Sequence, residues 1–271
     1  MKFYDKQNNR LVFIQKKATE EFWEKHWRKY DVEKVITSAS SSRFLLGNIR
    51  KYLPLGARVL EGGCGLGQYV YCLYVNGYDA YGIDSAQRTV EQINKAIPEL
   101  KVLVGDVREL PFERGFFDGY CSLGIIEHFY EGFDVIALEM SRVIKSGGYL
   151  FLTFPYLSNL RKKKIDKNKY ELWRSSPELE ANFYQFALSG DSVCKVFLDL
   201  GFELLSRKPI NGLKGFKDEI GIEALRRLLQ KVYDSTSFPG RILAYGLDQM
   251  LSPFAGHCEM MVLRRLGLVK L

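Results

Sequence analysis

This chain of 271 residues has no run of about 18 uncharged apolar residues, which excludes a simple membrane-spanning helix. It has no Cys-x-x-Cys pair. Its five cysteines are odd in number and scattered at 64, 72, 121, 194 and 258, so neither a disulfide frame nor a zinc knuckle is expected. They read as reduced core thiols. The first ten residues lack the apolar core of a signal peptide, and the expected location is cytoplasmic. Histidine is scarce, at 26, 128 and 257 only. A metal built on Glu127 and His128 would need ligands that the local sequence does not offer, so none is expected. Internal repeats and low-complexity tracts are also missing.

What is present is an ordinary globular composition with an uneven charge. The net charge is +7. Residues 161 to 174 carry Arg161, Lys162, Lys163, Lys164, Lys167, Lys169 and Arg174 against Asp166 and Glu171, so this one segment holds +5 of the excess. It reads either as a solvated loop or as a docking surface for an acidic substrate, phosphoglycan, nucleic acid or lipid headgroup.

Hydrophobic patterning changes along the chain. Glu20 to Tyr30 is aromatic and charged, and apolar positions 44, 45, 46, 49 and 53 suit an amphipathic helix ended by Pro54 and Gly56. From Arg58 strands and helices alternate: strands enter at Val59-Leu60, Asp79–Asp84, Lys101–Asp106, Phe117–Leu123 and Gly148–Phe154. Helices are expected at Ser85–Ile97 and Val135–Ile144. Such alternation implies a parallel sheet covered on both faces. Beyond Pro155 the pattern gives a helix over Asp191–Leu200 and strands over Phe202–Arg207 and His257–Arg264. Between those two strands two further helices are expected, near Glu219–Tyr233 and Arg241–Leu251. The resulting division is 1–43, an N-terminal helical and aromatic segment able to act as a lid; 44–210, the core, with a basic loop at 156–190; 211–256, a helical insert; and 257–271, a final strand and tail.

The segment Arg58-Val-Leu-Glu-Gly-Gly-Cys-Gly-Leu-Gly-Gln68 carries the most chemistry. An apolar strand ends at Glu61, glycines follow at 63, 65 and 67, and a helix begins at Gln68. This lets bare backbone turn sharply beside a ligand. Gln68 stands where a dinucleotide fingerprint would need its third glycine. Asp84 ends the next strand, where a carboxylate can accept both hydroxyls of a ribose, or can cap the following helix in competition with Ser85. Asp106, in Gly105-Asp-Val107, can accept from an adenine amino group, with the Val107 backbone N–H beside it, or can form a turn. Cys121 to His128 leaves the fourth strand at the same carboxyl-terminal edge.

Together these segments resemble the class I S-adenosylmethionine (SAM)-dependent methyltransferases, in particular those acting on small molecules. The likeness rests on Val59–Gly67, Tyr81–Asp84, Gly105–Phe112, Phe117–Tyr120, Ile126–His128 and Arg142–Gly148; it is specific over about 44–155, looser over 183–207, and loose or missing in the N-terminal 40 residues and over 211–256. It implies an α/β fold: a Rossmann-like doubly wound sheet of seven strands in the order 3-2-1-4-5-7-6, the seventh antiparallel. N-terminal helices and a helical insert in place of the usual final hairpin would complete it. The resemblance also implies SAM as cofactor and S-adenosyl-L-homocysteine as product. Glu61, Gly63, Cys64, Gly65 and Gly67 would meet the methionine part, Asp84 with Ser85 the ribose, Asp106 and Val107 the adenine, and Ser122 and Leu123 the wall near the sulfonium.

The acceptor is open on this reading. A sulfonium is already an activated leaving group, so positioning and desolvation carry most of the catalysis, and a base is needed only for a protonated nucleophile. His128 is the candidate base. His26 lies in the aromatic segment, with Phe22, Trp23, Trp27 and Tyr30 as a lid or as helix packing. The expected reaction is methyl transfer to O or N of a small or glycan-linked molecule. A nucleic-acid methyltransferase using the basic loop is the alternative, although no Asn/Asp-Pro-Pro-Tyr/Phe element follows the fourth strand and Tyr120, not proline, precedes Cys121. A silent SAM-binding assembly protein is a third. Peripheral membrane contact or dimerisation through Leu225, Leu228, Leu229, Val232, Leu243, Leu247 and Leu251 is a further reading of the insert.

Overall fold

The computed structural model describes residues 1–266; the tail expected at 267–271 lies outside them. The chain forms two compact units that interleave in sequence. One comprises Met1–Lys16, Thr153–Val193 and Ser206–Met260; the other comprises Lys17–Leu152, Cys194–Leu205 and the residues from Met261 onward. This replaces the linear division read from the sequence.

The first unit begins with a hairpin, not with helix. Strands β1 (Lys2–Asp5) and β2 (Arg10–Ile14) pair antiparallel, Asp5 opposite Arg10. The turn is held by Asp5, whose carboxylate accepts from the Asn8 N–H and the Arg10 guanidinium, while Asn9 adopts positive φ. With β8 (Glu171–Leu172) and β9 (Phe183–Ala187) it makes a four-stranded sheet in the order β8-β1-β2-β9. Leu11, Phe13, Leu157 and Ala187 form a core there.

Residues 161 to 166 are not loop. They lie in helix α7 (Asn159–Asp166), capped by the Ser158 hydroxyl, and Arg161 is fully buried. A short helix α8 (Pro177–Glu180) precedes β9. The helical insert is present as α10 (Gly212–Glu219), α11 (Glu223–Tyr233) and α12 (Phe238–Ala255). A Cβ at Gly212 or Gly215 would run into the α12 backbone at Ser252 and Ala255, so these glycines let α10 lie directly on α12.

In the second unit α1 (Glu20–Trp27) starts at Thr19, whose hydroxyl accepts from the Phe22 N–H, with Glu20 and Glu21 in the first turn. Two short helices come next, α2 (Val32–Ser38) and α3 (Arg43–Ile49), capped by Asp31 and Ser42. Then come β3 (Arg58–Gly62), α4 (Gln68–Val75), β4 (Asp79–Asp84), α5 (Gln87–Ala96), β5 (Lys101–Val104) and β6 (Phe117–Leu123). Helix α6 (Asp134–Val143), strand β7 (Ile144–Pro155), helix α9 (Gly190–Asp199) and strands β10 (Phe202–Ile210) and β11 (Cys258–Arg265) complete the chain.

The large sheet has seven strands in the order β10-β11-β7-β6-β3-β4-β5. β3 is parallel to both neighbours and sits between them, with Val59 and Leu60 fully buried. Strand register aligns the polar residues. Glu61 lies opposite Gly82 and Cys121, Gly62 opposite Ile83, and Asp84 opposite Val104. The carboxyl ends of the central strands therefore bring Glu61, Asp84 and Ser122 to one edge, where open α/β sheets hold ligands.

Candidate cofactor-binding and active site

The site is built around the turn between β3 and α4. Gly63, Gly65 and Gly67 adopt φ of +71°, +51° and +72°, a region that L side chains rarely enter. The turn is fastened to the end of β4: the N–H groups of Gly63 and Cys64 both donate to the Ile83 carbonyl, at 2.8 and 3.1 Å. The Asp84 carboxylate accepts from the Gly65 N–H at 2.8 Å and from the Ala86 N–H at 2.9 Å. Burial pushes the Asp84 pKa up against those backbone donors. At Glu61, burial and then the neighbouring Asp84 charge push the carboxyl well above its ordinary range, opposed only by a backbone N–H at Val70.

Polar atoms around the turn are left without partners. Glu61 Oε2, Gln68 Oε1, Ser122 Oγ and Glu127 Oε2 are buried and have no hydrogen-bond partner among the described residues. Such atoms are rare in a finished interior. Glu127, in the 3-10 turn Ile126–His128, is pushed up to about 8 by burial. A ligand that brings a cation to Glu61 and donors to the neighbouring acceptors would satisfy this set.

Helix α1 supplies an aromatic cover. A Cβ at Gly65 would lie 2.9 Å from the Trp27 ring, which places the indole against the glycine turn. Trp23 stacks on Trp27 at 5.8 Å between centroids and meets the His128 ring edge-on at 5.1 Å. His26 packs edge-on against Trp27 at 4.7 Å, and burial followed by the nearby Lys29 lowers its pKa. The far side of α1 is tied to α5, where Glu24 accepts from the Arg88 N–H and lies 3.7 Å from its guanidinium.

Residues 60–152 match the family model described as a methyltransferase domain. Those residues form a methyltransferase domain. The chain is 29% identical over 148 residues to the tRNA (carboxymethyluridine(34)-5-O)-methyltransferase of Arabidopsis thaliana, covering 51% of this chain and 34% of that protein. It is 32% identical over 102 residues to the fatty-acid O-methyltransferase of Mycolicibacterium smegmatis, covering 36% and 37%. The chain spans between about a third and a half of the length of the curated relatives it matches. In fold it is similar to a SAM-dependent methyltransferase from Methanosarcina mazei, with a TM-score of 0.54, 17% identity and coverage of 81% of this chain and 97% of that one.

Within the methyltransferase domain the residues singled out by sequence fall into two groups. Glu61, Gly63, Cys64, Gly65, Gly67, Asp84 and Ser122 gather at the β3–β4–β6 edge, and all but Gly63 are buried. Ser85 follows Asp84 but is exposed. Asp106 stands beyond β5, and Arg108 grips both its oxygens at 2.6 to 3.0 Å, holding its carboxyl below the usual range. Val107 beside it is buried, and Leu123 is half-buried at the end of β6. Sequence reasoning gave no cofactor-site role to Gln68, Ile125 or Glu127. Ile125 fills the space above Gly63, and its side chain would collide with any Cβ there. The signal for Glu127 and Ile125 was their place in the exit from the fourth strand, directly beside His128.

Proposed function

We propose that the chain moves a methyl group from SAM to an oxygen or nitrogen of a small-molecule or glycan-linked acceptor. The observation that carries this reading is the buried, partnerless Glu61 Oε2 next to the Asp84-fastened glycine turn. SAM carries an ammonium, ribose hydroxyls and a sulfonium-activated methyl group. The site offers Glu61 for the ammonium, Asp84 for the ribose hydroxyls, and Val107 with Asp106 for the adenine. Ser122 and Leu123 would line the wall near the sulfonium.

The chain's own part in the reaction is to bind, orient and dry the reactants. Glu61 ionises when a cation replaces its missing partner. Trp23 and Trp27 keep water from the turn, which strengthens every electrostatic contact beneath them. Holding the acceptor atom in line supplies up to about 7–11 kcal/mol in favourable cases. His128, whose ring meets Trp23 edge-on, would take a proton from a hydroxyl or ammonium acceptor.

A small acceptor is favoured over nucleic acid because the basic segment is partly consumed by the fold. Arg161 is buried and Lys164 is bound to Glu219, which removes two of its seven cations from the surface. The test is incubation with labelled SAM and separate pools of hydroxylated and amino small molecules, glycans and tRNA. Label in the small-molecule or glycan pool supports the reading; label confined to tRNA contradicts it.

A further inference from the structure

The first unit holds a charge cluster with no place in methyl transfer. Glu219 is its centre, with 1% of its side chain exposed. It receives Lys2 at 2.7 Å, Arg161 at 3.2 Å, Lys164 at 2.7 Å and the Tyr170 hydroxyl at 2.7 Å. Beside it Asp218 faces Lys217 at 2.8 Å and Lys214 at 3.4 Å. Five cations thus share two carboxylates. The remaining titratable groups do not close the gap. Tyr170 and Tyr233 are phenols, Cys258 is a thiol, and the Asp248 carboxylate on α12 is turned to the Leu213 N–H at 3.1 Å.

The excess meets at His257. Arg161 Nη2 lies 3.2 Å from its Nδ1, and Lys214 Nζ lies 2.7 Å from its Nε2. A guanidinium only donates, so Nδ1 accepts from Arg161 and the single proton of a neutral imidazole sits on Nε2, with Asp218 Oδ2 standing farther off, 3.9 Å from Nδ1. That N–H points at the Lys214 amine. The contact is a hydrogen bond only when Lys214 is itself neutral and accepts. If Lys214 is an ammonium, two donors face each other at 2.7 Å with nothing between them. Burial lowers the pKa of both groups; at His257 the surrounding cations add to it, and at Lys214 Asp218 opposes it without overcoming it. The cluster opens at Lys214 and Asp218, with side-chain exposures of 34% and 29%, and is narrower at Lys217 and His257, with 12% and 11%, against 1% at Arg161.

We propose that Lys214, Lys217 and His257 form a binding site for a phosphate- or sulfate-type anion, with Arg161 as the fixed buried charge behind it. An anion at this rim accepts from His257 Nε2–H, from Lys214 and from Lys217 together, and turns the donor–donor conflict into three charge-assisted hydrogen bonds. Binding then restores the protonated form of Lys214, or of His257, and draws a proton from solution. The anion comes either as a free ion or as the phosphate of an acidic acceptor. The site is argued from the first unit alone, so it stands or falls independently of the methyl-transfer reading.

The test uses sulfate, whose charge does not change near neutral pH. Calorimetric titration of the full chain, at ionic strength held with sodium chloride, is run in two buffers of different ionisation enthalpy. Saturable binding is expected, with uptake of up to one proton per site and an affinity falling by up to about tenfold per pH unit on the alkaline side. Lys214→Met and Lys217→Met should each weaken binding at least tenfold while circular dichroism stays that of the parent. Nitrogen-detected NMR of the His257 ring should show the Nε2–H tautomer without sulfate. No saturable binding, or binding without proton uptake, overturns the proposal. So does unchanged affinity in both folded variants. If sulfate binds as expected, glucose 1-phosphate and inorganic phosphate compared at equal concentration separate the two sources: tighter binding of the ester assigns the site to an acceptor, and equal or weaker binding assigns it to a free ion.

Discussion

The Asp84 carboxylate accepts the Gly65 backbone N–H at 2.8 Å, so the end of one central strand fixes the turn that leaves its neighbour. The same carboxylate is the group proposed to accept the ribose hydroxyls, so on that reading structure and binding depend on one side chain.

This coupling predicts the behaviour of Asp84→Ala. Loss of a buried acceptor costs about 1–3 kcal/mol. S-adenosylhomocysteine should bind about ten- to a hundredfold more weakly to the variant, and thermal unfolding should fall because the Gly65 N–H is orphaned. Asp84→Asn, which keeps an acceptor for Gly65, should recover more of the stability than of the affinity.

Glu61 predicts a proton count. Burial, with the Asp84 charge, raises its folded pKa, so the free protein keeps that proton to higher pH than an ordinary carboxyl and an ammonium partner would displace it. S-adenosylhomocysteine binding should release that proton, and the apparent affinity should rise with pH until the pKa of the free carboxyl is passed. Calorimetry in paired buffers reads the release; Glu61→Gln should abolish it.

Gly65→Ala should be costly for two reasons. Its φ of +51° disfavours any side chain, by roughly 1–2 kcal/mol. In addition the new methyl would press on the Trp27 ring. Combining it with Trp27→Ala should remove the second cost but not the first, and a double-mutant cycle on thermal stability would separate them.

The Glu219 cluster predicts acid sensitivity. Lys2, Arg161 and Lys164 overcome its burial and bring its pKa down to about 2, from 4.5 in the unfolded chain. The depressed carboxylate stabilises the fold fully above pH 4.5, and that contribution is lost as pH falls toward 2. Thermal melts should drop through this window. Glu219→Gln, which leaves buried cations uncompensated, should cost about 3–5 kcal/mol at neutral pH and flatten the acid decline.

Local signals carried the second unit and the helical insert, and failed at the N-terminal hairpin and the basic segment. Glu61, the glycines and Asp84 were legible because a parallel strand writes its turn into adjacent residues, and each strand end repeats the pattern. The hairpin of β1 and β2 was not, because half of its pairing comes from β8 and β9, about 170 residues away. Its one local signal was Asn8-Asn9, a pair suited to a tight turn. Arg161 looked like one more surface cation. Only tertiary contact with Glu219, 58 positions later, buries it, although Ser158 announced the helix. The contact of Trp27 with Gly65 joins segments 38 positions apart, and no spacing rule reveals it.

The central claim is that the Glu61–Asp84 edge holds SAM. Titration of the folded chain with S-adenosylhomocysteine tests it most directly. Saturable binding with release of a proton, weakened by Asp84→Ala, is the predicted result. A folded protein that shows no binding, or the same affinity with and without Asp84, would contradict the claim.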